Sequence, residues 1–268
     1  MLDKYNRQIN YLRISVTDRC NLRCTYCMPV EGVPAKSHLQ MLTYEQIIEV
    51  AQTAVFLGIS KIRLTGGEPL VRKGVLYLIT ELRKIAGLQE LALTTNGVLL
   101  PELAQSLKKT GIDRINISLD TLDPEKYKKI TYNGDIRQVL AGIDAVLAVG
   151  FQNTKINMVV MPGVNDNEVE PMLAFCAQKG LKLQRINHYS LSDIRSIDHR
   201  YSAERPMSCS HCNRIRLTAD GKLKPCLFSD IEIPLDFNHL KESLIEAIQM
   251  KPQAGSMNST TQNWQIGG

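Results

Sequence analysis

Three cysteines near the start of the chain have a spacing suited to binding a metal cluster. Cys20, Cys24 and Cys27 lie at C-x3-C-x2-C, directly after a strand-like run over residues 12–16. Crowded thiolates in a chain with no secretion signal indicate metal ligands rather than disulfide partners. A [4Fe–4S] cluster held by only three cysteines keeps one iron open to a small molecule. A structural zinc site is the alternative, but it normally closes with a fourth ligand, and no His or Cys follows before His38.

A second cysteine group lies far along the chain. Cys209 and Cys212 form a C-x2-C pair, and Cys226 follows after thirteen intervening residues. A hairpin turn over residues 219–222 would bring Cys226 back beside the pair. Again three thiolates have no evident fourth partner, although His211 or His199 could complete a Cys3His zinc site. The first cysteine group favours a second iron–sulfur cluster over zinc.

The composition is that of an ordinary soluble globular protein. Of the 268 residues, 44% are hydrophobic and 22% are charged, enough for one large domain or one domain with a satellite. No apolar run approaches a membrane span and the start is no signal peptide, so we expect a cytoplasmic protein. The net charge of +5 slightly favours anionic ligands but is too small to indicate nucleic acid. The isolated Cys176 is expected to be a small apolar residue of a helix.

Strand-like and helix-like segments alternate in six βα units, which predicts an α/β fold with a parallel sheet. The candidate residues follow the strands: Cys20 the first, residues 66–69 the second and residues 96–97 the third, while Ser118 ends the fourth. Both a TIM-type barrel and a doubly wound sheet bind ligands at the carboxyl ends of their strands, so this clustering leaves the choice open. The polar tail over residues 253–268 is expected to have no fixed fold in isolation.

The first cysteine motif, followed by Met28 and Pro29, resembles that of the radical S-adenosylmethionine (SAM) enzymes. In that family the open iron chelates SAM and passes it an electron, and cleavage of the C–S bond gives a 5′-deoxyadenosyl radical. The resemblance implies a partial (β/α)6 barrel with a C-terminal extension that carries the second iron–sulfur site. We therefore expect a barrel over residues 1–190 and a C-terminal segment over residues 191–268.

The same resemblance implies four residues that contact SAM. The Gly66-Gly67-Glu68-Pro69 motif is similar to the site for the SAM amino group, which assigns Gly67. Tyr26 has the position whose backbone meets adenine, and the Ser118 hydroxyl is placed to reach the SAM carboxylate or ribose. Tyr189 falls where a methionine usually touches SAM.

The chain resembles one narrower family, the GTP 3′,8-cyclases of molybdenum-cofactor biosynthesis. The matching stretches are residues 13–29, 63–72, 94–97, 114–120, 155–165, 209–228 and 266–268. The resemblance implies two [4Fe–4S] clusters, the second of which binds GTP, and paired glycines, Gly267 and Gly268, that enter the active site and influence the radical step. The residues that fall on GTP-contacting positions are Arg13, Arg63, Thr94, Lys155, Arg214 and Arg216. Arginine forks suit a triphosphate, which agrees independently with this assignment.

The implied activity is conversion of GTP to (8S)-3′,8-cyclo-7,8-dihydroguanosine 5′-triphosphate, the first step of molybdopterin synthesis. Implied partners are an electron donor such as a flavodoxin or ferredoxin and the next enzyme, cyclic pyranopterin monophosphate synthase. A homodimer is possible, while no membrane or nucleic-acid partner is expected.

The chain departs from the family in two places. They are the short segment over residues 190–206 and Tyr189 itself. The alternatives are a radical SAM enzyme that modifies a peptide and a degenerate protein that binds GTP or clusters without catalysis.

Overall fold

A computed structural model of the protein describes residues 1–32, 37, 40–132, 134–192, 196, 203–204 and 207–266. Six parallel strands form its centre, in the order β6-β5-β4-β3-β2-β1. They are β1 (Tyr11–Ser15), β2 (Lys61–Thr65), β3 (Glu90–Thr95), β4 (Arg114–Ser118), β5 (Lys155–Val160) and β6 (Lys182–Asn187). A doubly wound sheet would reverse its strand order at a switch point. The unbroken sequential order therefore confirms the predicted open barrel.

The C-terminal extension continues this sheet. Strand β7 (Arg214–Leu217) pairs in parallel with β1, so that Arg216 lies opposite Arg13. Strands β8 (Lys222–Lys224) and β9 (Ile233–Pro234) follow in antiparallel pairing. The predicted hairpin between β7 and β8 is thus present. The extension shares its backbone hydrogen bonds with the barrel, and the boundary at residue 190 remains a prediction.

Helices connect the strands and cover the sheet. They are α1 (Tyr44–Phe56), α2 (Val75–Arg83), α3 (Leu100–Lys109), α4 (Pro124–Thr131), α5 (Ile136–Ala148), α6 (Val169–Lys179), α7 (Leu240–Gln249) and α8 (Asn263–Ile266). Helix α1 begins at a capping box, in which Thr43 Oγ1 accepts from the Gln46 N–H and the Gln46 side chain accepts from the Thr43 N–H. No helix in the described ranges is long and apolar enough to cross a membrane.

The alternating pattern of the strands explains the core. Leu12 and Ile14 of β1 and Leu64 of β2 are fully buried and pack into one continuous hydrophobic cluster beneath the helices. The intervening residues, such as Arg13 and Arg63, point to the other face of the sheet. That second face is the interior of the open barrel, where the predicted substrate residues are found.

The C-terminal tail packs on the body of the protein as far as residue 266. Ile266 is fully buried in a small cluster with Leu191, Leu227 and Phe228. The Asn258 side chain donates to the Leu227 carbonyl at 3.0 Å. The polar tail therefore gains its fold from contacts with the barrel mouth rather than from its own sequence. The predicted catalytic pair, Gly267 and Gly268, lies outside the described residues.

Candidate active site

The first three cysteines stand together at the mouth of the barrel. Cys20, Cys24 and Cys27 are free, partly buried and line one cavity. The loop is held by its own backbone, because the N–H groups of Cys27 and Met28 donate to the Cys24 carbonyl at 2.9 and 3.0 Å. The Leu22 N–H approaches the Cys20 Sγ at 3.4 Å. These contacts fix the direction of the thiols.

The glycine pair after β2 lies directly against this cysteine loop. The Gly67 N–H donates to the Thr17 carbonyl at 2.8 Å, and the next N–H, of Glu68, donates to the Arg19 carbonyl at 2.8 Å. A Cβ at Gly66 would lie 2.4 Å from the Thr17 oxygen, and one at Gly67 would lie 2.3 Å from the Arg19 oxygen. The absence of side chains at both positions is therefore required for the two loops to meet.

Replacing Gly67 with alanine is expected to displace the cysteine loop. The new Cβ would overlap a backbone carbonyl, which is not able to rotate away as a flexible side chain would. We expect a loss of about 1–3 kcal/mol in the free energy of unfolding, together with weaker retention of iron by the first cysteine group. Thermal unfolding and iron analysis measure these effects. Gly180→Ala is the control for iron retention. No atom lies within 4 Å of the added Cβ there, and its left-handed φ of 67° costs about 1–2 kcal/mol of stability outside the cysteine cavity. Equal loss of iron in both variants would contradict the account.

Glu68 joins three loops of the site through one buried carboxylate. It accepts hydrogen bonds from the Leu70 N–H at 3.0 Å, the Thr95 hydroxyl at 2.8 Å and the Asn96 N–H at 2.7 Å. Burial raises the pKa of Glu68 to about 7, although these hydrogen bonds lower it in part. The Asn96 side chain then donates to Asn21 in the cysteine loop at 2.7 Å. The motif alone indicates that Glu68 is a turn residue. Its bridging role is evident only from these hydrogen bonds.

The structure brings together all four residues predicted to contact SAM. Tyr26, Gly67, Ser118 and Tyr189 line the same cavity as the first three cysteines. Their role as SAM ligands remains a prediction, but their convergence agrees with it.

Asp120 was missed as a site residue at the sequence level. Its Oδ2 accepts from the Tyr26 hydroxyl at 2.7 Å and its Oδ1 accepts from the Val159 N–H at 2.8 Å. Burial raises the pKa of Asp120 to about 6, against the lowering effect of these two hydrogen bonds. The C-terminal helix also reaches this point, because the Asn263 side chain donates to the Tyr26 carbonyl at 3.2 Å. The available signal in the sequence was an acidic residue two positions after the end of β4, where ligands bind in such folds.

The donor set of the first cysteine group fits an iron–sulfur cluster. Three free thiols line one cavity, and thiolates are the ligands that such clusters take from proteins. Burial, Cys20 and Asp120 raise the pKa of Cys27 to about 12, so that these thiols need bound iron to become thiolates.

A second, basic cavity adjoins the first one. Arg13, Arg63, Arg214 and Arg216 line it, and each is no more than 9% exposed. As far as the chain is described, its lining contains no Asp or Glu. Burial has the largest lowering effect on the pKa of Arg13, and the charge of Arg216 lowers that pKa further. Four like charges held at low dielectric favour an anionic ligand with several negative charges.

Several polar atoms in this region are buried without a protein partner. In the described ranges these include the Nε atoms of Arg63, Arg214 and Arg216 and the Oγ1 of Thr94. Because buried polar groups are nearly always hydrogen-bonded, such atoms at a cavity indicate a ligand. Arg63 also lies over the ring of Tyr11, 5.6 Å from its centroid.

The two cavities form one continuous cleft. Arg13, Asn157, Ile186 and Tyr189 line both of them, and the Tyr189 ring packs edge-on against Phe228. Tyr189 thus stands at the boundary between the cysteine end and the arginine end. Asn157 and Gln184 also line the basic cavity, and sequence reasoning missed both.

The other two residues predicted to contact GTP, Thr94 and Lys155, do not line the basic cavity. Thr94 lines the first cavity rather than the basic one. Lys155 opens β5, two residues before Asn157 on the same face, and is not among the lining residues of either cavity. The proposed contact of Lys155 with GTP remains a prediction.

The second cysteine group has a different electrostatic setting. A short 3-10 turn covers Cys209–His211, and the Cys212 N–H donates to the Cys209 carbonyl at 3.2 Å. Burial acts to raise the pKa of Cys212, but Lys251, Arg214 and its backbone N–H outweigh it and lower that pKa to about 6. The His211 Nδ1 contacts the Ser208 and Ser210 hydroxyls at 2.9 and 3.0 Å. His199, the other candidate zinc ligand, lies outside the described residues.

Known folds agree with this architecture. A crystal structure of Streptococcus suis SuiB bound to S-adenosylmethionine superimposes with a TM-score of 0.70 at 16% identity, covering 93% of this chain and 68% of SuiB. Native anSMEcpe with bound AdoMet gives a TM-score of 0.68 at 15% identity over 91% of this chain and 81% of that chain. The radical SAM superfamily profile matches residues 14–176, and the Molybdenum Cofactor Synthesis C profile matches residues 172–257. Fold and sequence together define a radical SAM protein.

Curated relatives narrow this class. The GTP 3′,8-cyclase of Petrotoga mobilis is 43% identical over 94% of both chains, and that of Moorella thermoacetica is 45% identical over 88% of this chain and 86% of the relative. The chain belongs to the GTP 3′,8-cyclase family. The Clostridium botulinum (strain Langeland) enzyme is 38% identical over the whole of both chains, and the alignment spans 320 positions. Because this chain has 268 residues, about 52 of those positions have no counterpart in it, which agrees with a shortened segment.

Proposed function

We propose that this protein is a radical SAM enzyme that converts GTP to (8S)-3′,8-cyclo-7,8-dihydroguanosine 5′-triphosphate. The observation that carries the proposal is the pairing of two cavities in one cleft: three free cysteines line one, and four buried arginines line the other. Relatives named GTP 3′,8-cyclase support the same reaction. The likeness to SuiB and anSMEcpe concerns the fold alone and does not favour a peptide substrate.

Two groups of residues would hold the cofactors. Cys20, Cys24 and Cys27 would bind the first [4Fe–4S] cluster, and the predicted SAM residues line the space beside it. When bound, the cluster and SAM would supply the radical chemistry needed to abstract the ribose 3′ hydrogen of GTP. Cys209, Cys212 and Cys226 would bind the second cluster near the guanine.

The protein's own contribution is to bind and orient the nucleotide and to exclude water. The buried arginines would take the triphosphate through paired, charge-assisted hydrogen bonds. Tyr189, which lines both cavities, would separate the radical from the phosphate end. Fixing the ribose 3′ carbon next to SAM, and guanine C8 next to that carbon, replaces an encounter between mobile molecules by a reaction within one complex.

An anaerobic turnover experiment tests the proposal. The reconstituted protein is reduced with dithionite and supplied with SAM and GTP, and the nucleotide is identified by mass spectrometry and NMR. We expect the cyclised triphosphate, with an equal amount of 5′-deoxyadenosine. Uncoupled 5′-deoxyadenosine without nucleotide product would support a degenerate homologue instead.

Replacing Arg216 with alanine is expected to weaken GTP binding. Arg216 is 4% exposed and lines the basic cavity. Its loss therefore removes a charge-assisted contact that contributes about 1.5–3 kcal/mol to binding. An anaerobic titration should show an increase in Kd of roughly 10–150-fold, with both clusters retained. Arg137→Ala is the control, because that residue lies on the surface of α5 and is paired with Asp135. Unchanged affinity in the Arg216 variant would remove it from the substrate site.

Further elements of the proposal concern the cellular setting. We infer a cytoplasmic enzyme, a flavodoxin or ferredoxin as electron donor, and cyclic pyranopterin monophosphate synthase as the next enzyme. A homodimer belongs to the same proposal. Gly267 and Gly268 follow the buried Ile266, which supports their predicted approach to the active site.

A further inference from the structure

The segment after α7 places a buried lysine beside the second cysteine group. Lys251 is 1% exposed, and its Nζ donates to the carbonyl oxygens of Arg214 at 2.8 Å and Pro225 at 2.7 Å. Arg214 lies two residues after Cys212, and Pro225 immediately precedes Cys226. One ammonium group therefore joins the two stretches of backbone that carry these cysteines.

A second buried cation attaches the same segment to the third cysteine. Arg7 Nη1 donates to the Cys209 carbonyl at 2.9 Å, and Nη2 donates to the Pro252 carbonyl at 2.7 Å. The Arg7 Nε is paired with the buried Asp3 carboxylate at 2.7 Å. The backbone at all three cysteines is thus held by cations from outside the cysteine motif.

The two cations differ in their counter-charge. Arg7 faces Asp3. Lys251, in contrast, pairs with no Asp or Glu in the part of the chain that the structure describes, and the two backbone groups that it contacts are neutral carbonyls. A buried ammonium without an anion nearby is costly. The neighbouring groups able to supply negative charge are the sulfurs of Cys212 and Cys226, and the Lys251 ammonium also hydrogen-bonds to the Cys212 side chain.

We propose that Lys251 is a positioning residue of the second cluster, which fixes the cysteine-bearing backbone and balances the negative charge of the bound cluster. This inference rests on the second cluster of the proposed function. Hydrogen bonds and charges near the sulfurs affect both retention of a cluster and its reduction potential. A cation favours the reduced, more negative state, so Lys251 raises the reduction potential of this cluster.

Replacement of Lys251 by methionine tests the proposal, because it removes the charge and preserves most of the volume. We expect the second cluster to lose iron to a chelator roughly tenfold faster than in the parent. Its reduction potential, measured by a titration followed by electron paramagnetic resonance, should shift to a more negative value. The first cluster should be unaffected, so that SAM cleavage without GTP continues at the parental rate.

Lys224→Met is the matched control. Lys224 is equally buried and lies on β8, but its Nζ is paired with Glu232 at 3.3 Å. We expect this variant to keep the parental rate of iron loss and the parental potential. Lys251→Gln retains a donor without the charge, and it should still shift the potential. If Lys251→Met does not fold, the glutamine variant provides the same test.

The outcomes separate this inference from the proposed function. A parent with the iron of two clusters, and Lys251 variants with parental iron retention and potential, would overturn the role of Lys251 alone. A parent with the iron of one cluster would refute the second cluster, and with it this role. A more negative potential in both Lys251 variants, and not in Lys224→Met, would support the proposal.

Discussion

Replacing Cys24 with alanine is expected to reduce the reductive cleavage of SAM to background. The contacts that shape the loop at this position use the Cys24 carbonyl, which accepts from the Cys27 and Met28 N–H groups. Alanine keeps that carbonyl, so the variant removes the thiol and preserves the loop. A cluster with two protein ligands would not be retained, and no electron would reach SAM. The readout is 5′-deoxyadenosine after dithionite reduction under anaerobic conditions.

Cys176→Ala is the control for this experiment. Cys176 is 2% exposed within α6 and lies outside both cavities. Its replacement should create only a small cavity in the core. The yield of 5′-deoxyadenosine should equal that of the parent. A normal yield from the Cys24 variant would show that this loop does not hold the cluster.

Replacing Cys209, Cys212 and Cys226 together with alanine is expected to abolish conversion of GTP and to preserve SAM cleavage. Iron should fall to roughly half of the parental content, since one of two [4Fe–4S] clusters is lost. The strand pairing of β1 with β7 is independent of the thiols, so the barrel should remain folded. SAM cleavage should then continue at a low, uncoupled level, because the nucleotide is no longer held beside the radical.

Metal analysis, circular dichroism and product analysis on the same sample measure these effects. Zinc in the parent, with unchanged iron in the triple variant, would contradict the second cluster. Product from GTP at the parental rate would show that these cysteines do not take part in substrate binding.

The sequence predicts the barrel well because each strand carries its own signal. The predicted alternation of strands and helices is present, and strands β2 and β4 show the local signal. In both, short β-branched or apolar runs end at a polar residue that faces the site. Thr43, a residue type that commonly caps helices, likewise begins α1. These features depend on a few neighbouring residues, so local physics is enough to place them.

The sequence gives much less information on contacts between distant segments. The parallel pairing of β1 with β7 joins residues about two hundred positions apart, and no local pattern encodes it. Arg7 and Lys251 are missed for the same reason, because among 32 lysines and arginines no spacing identifies the ones that are buried. The bridging role of Glu68 depends on loops that only the fold brings together. The glycine pair was recognised, but its steric cause, the carbonyls of Thr17 and Arg19, requires the fold.

The most direct test of the account is transfer of hydrogen from the ribose of GTP to the SAM-derived product. The reconstituted protein is reduced anaerobically with SAM and GTP that carries deuterium at the 3′ carbon, and the 5′-deoxyadenosine is examined by mass spectrometry. We predict one deuterium per 5′-deoxyadenosine, together with the cyclised triphosphate that has lost that deuterium. Unlabelled 5′-deoxyadenosine and recovery of intact deuterated GTP would contradict the proposed reaction.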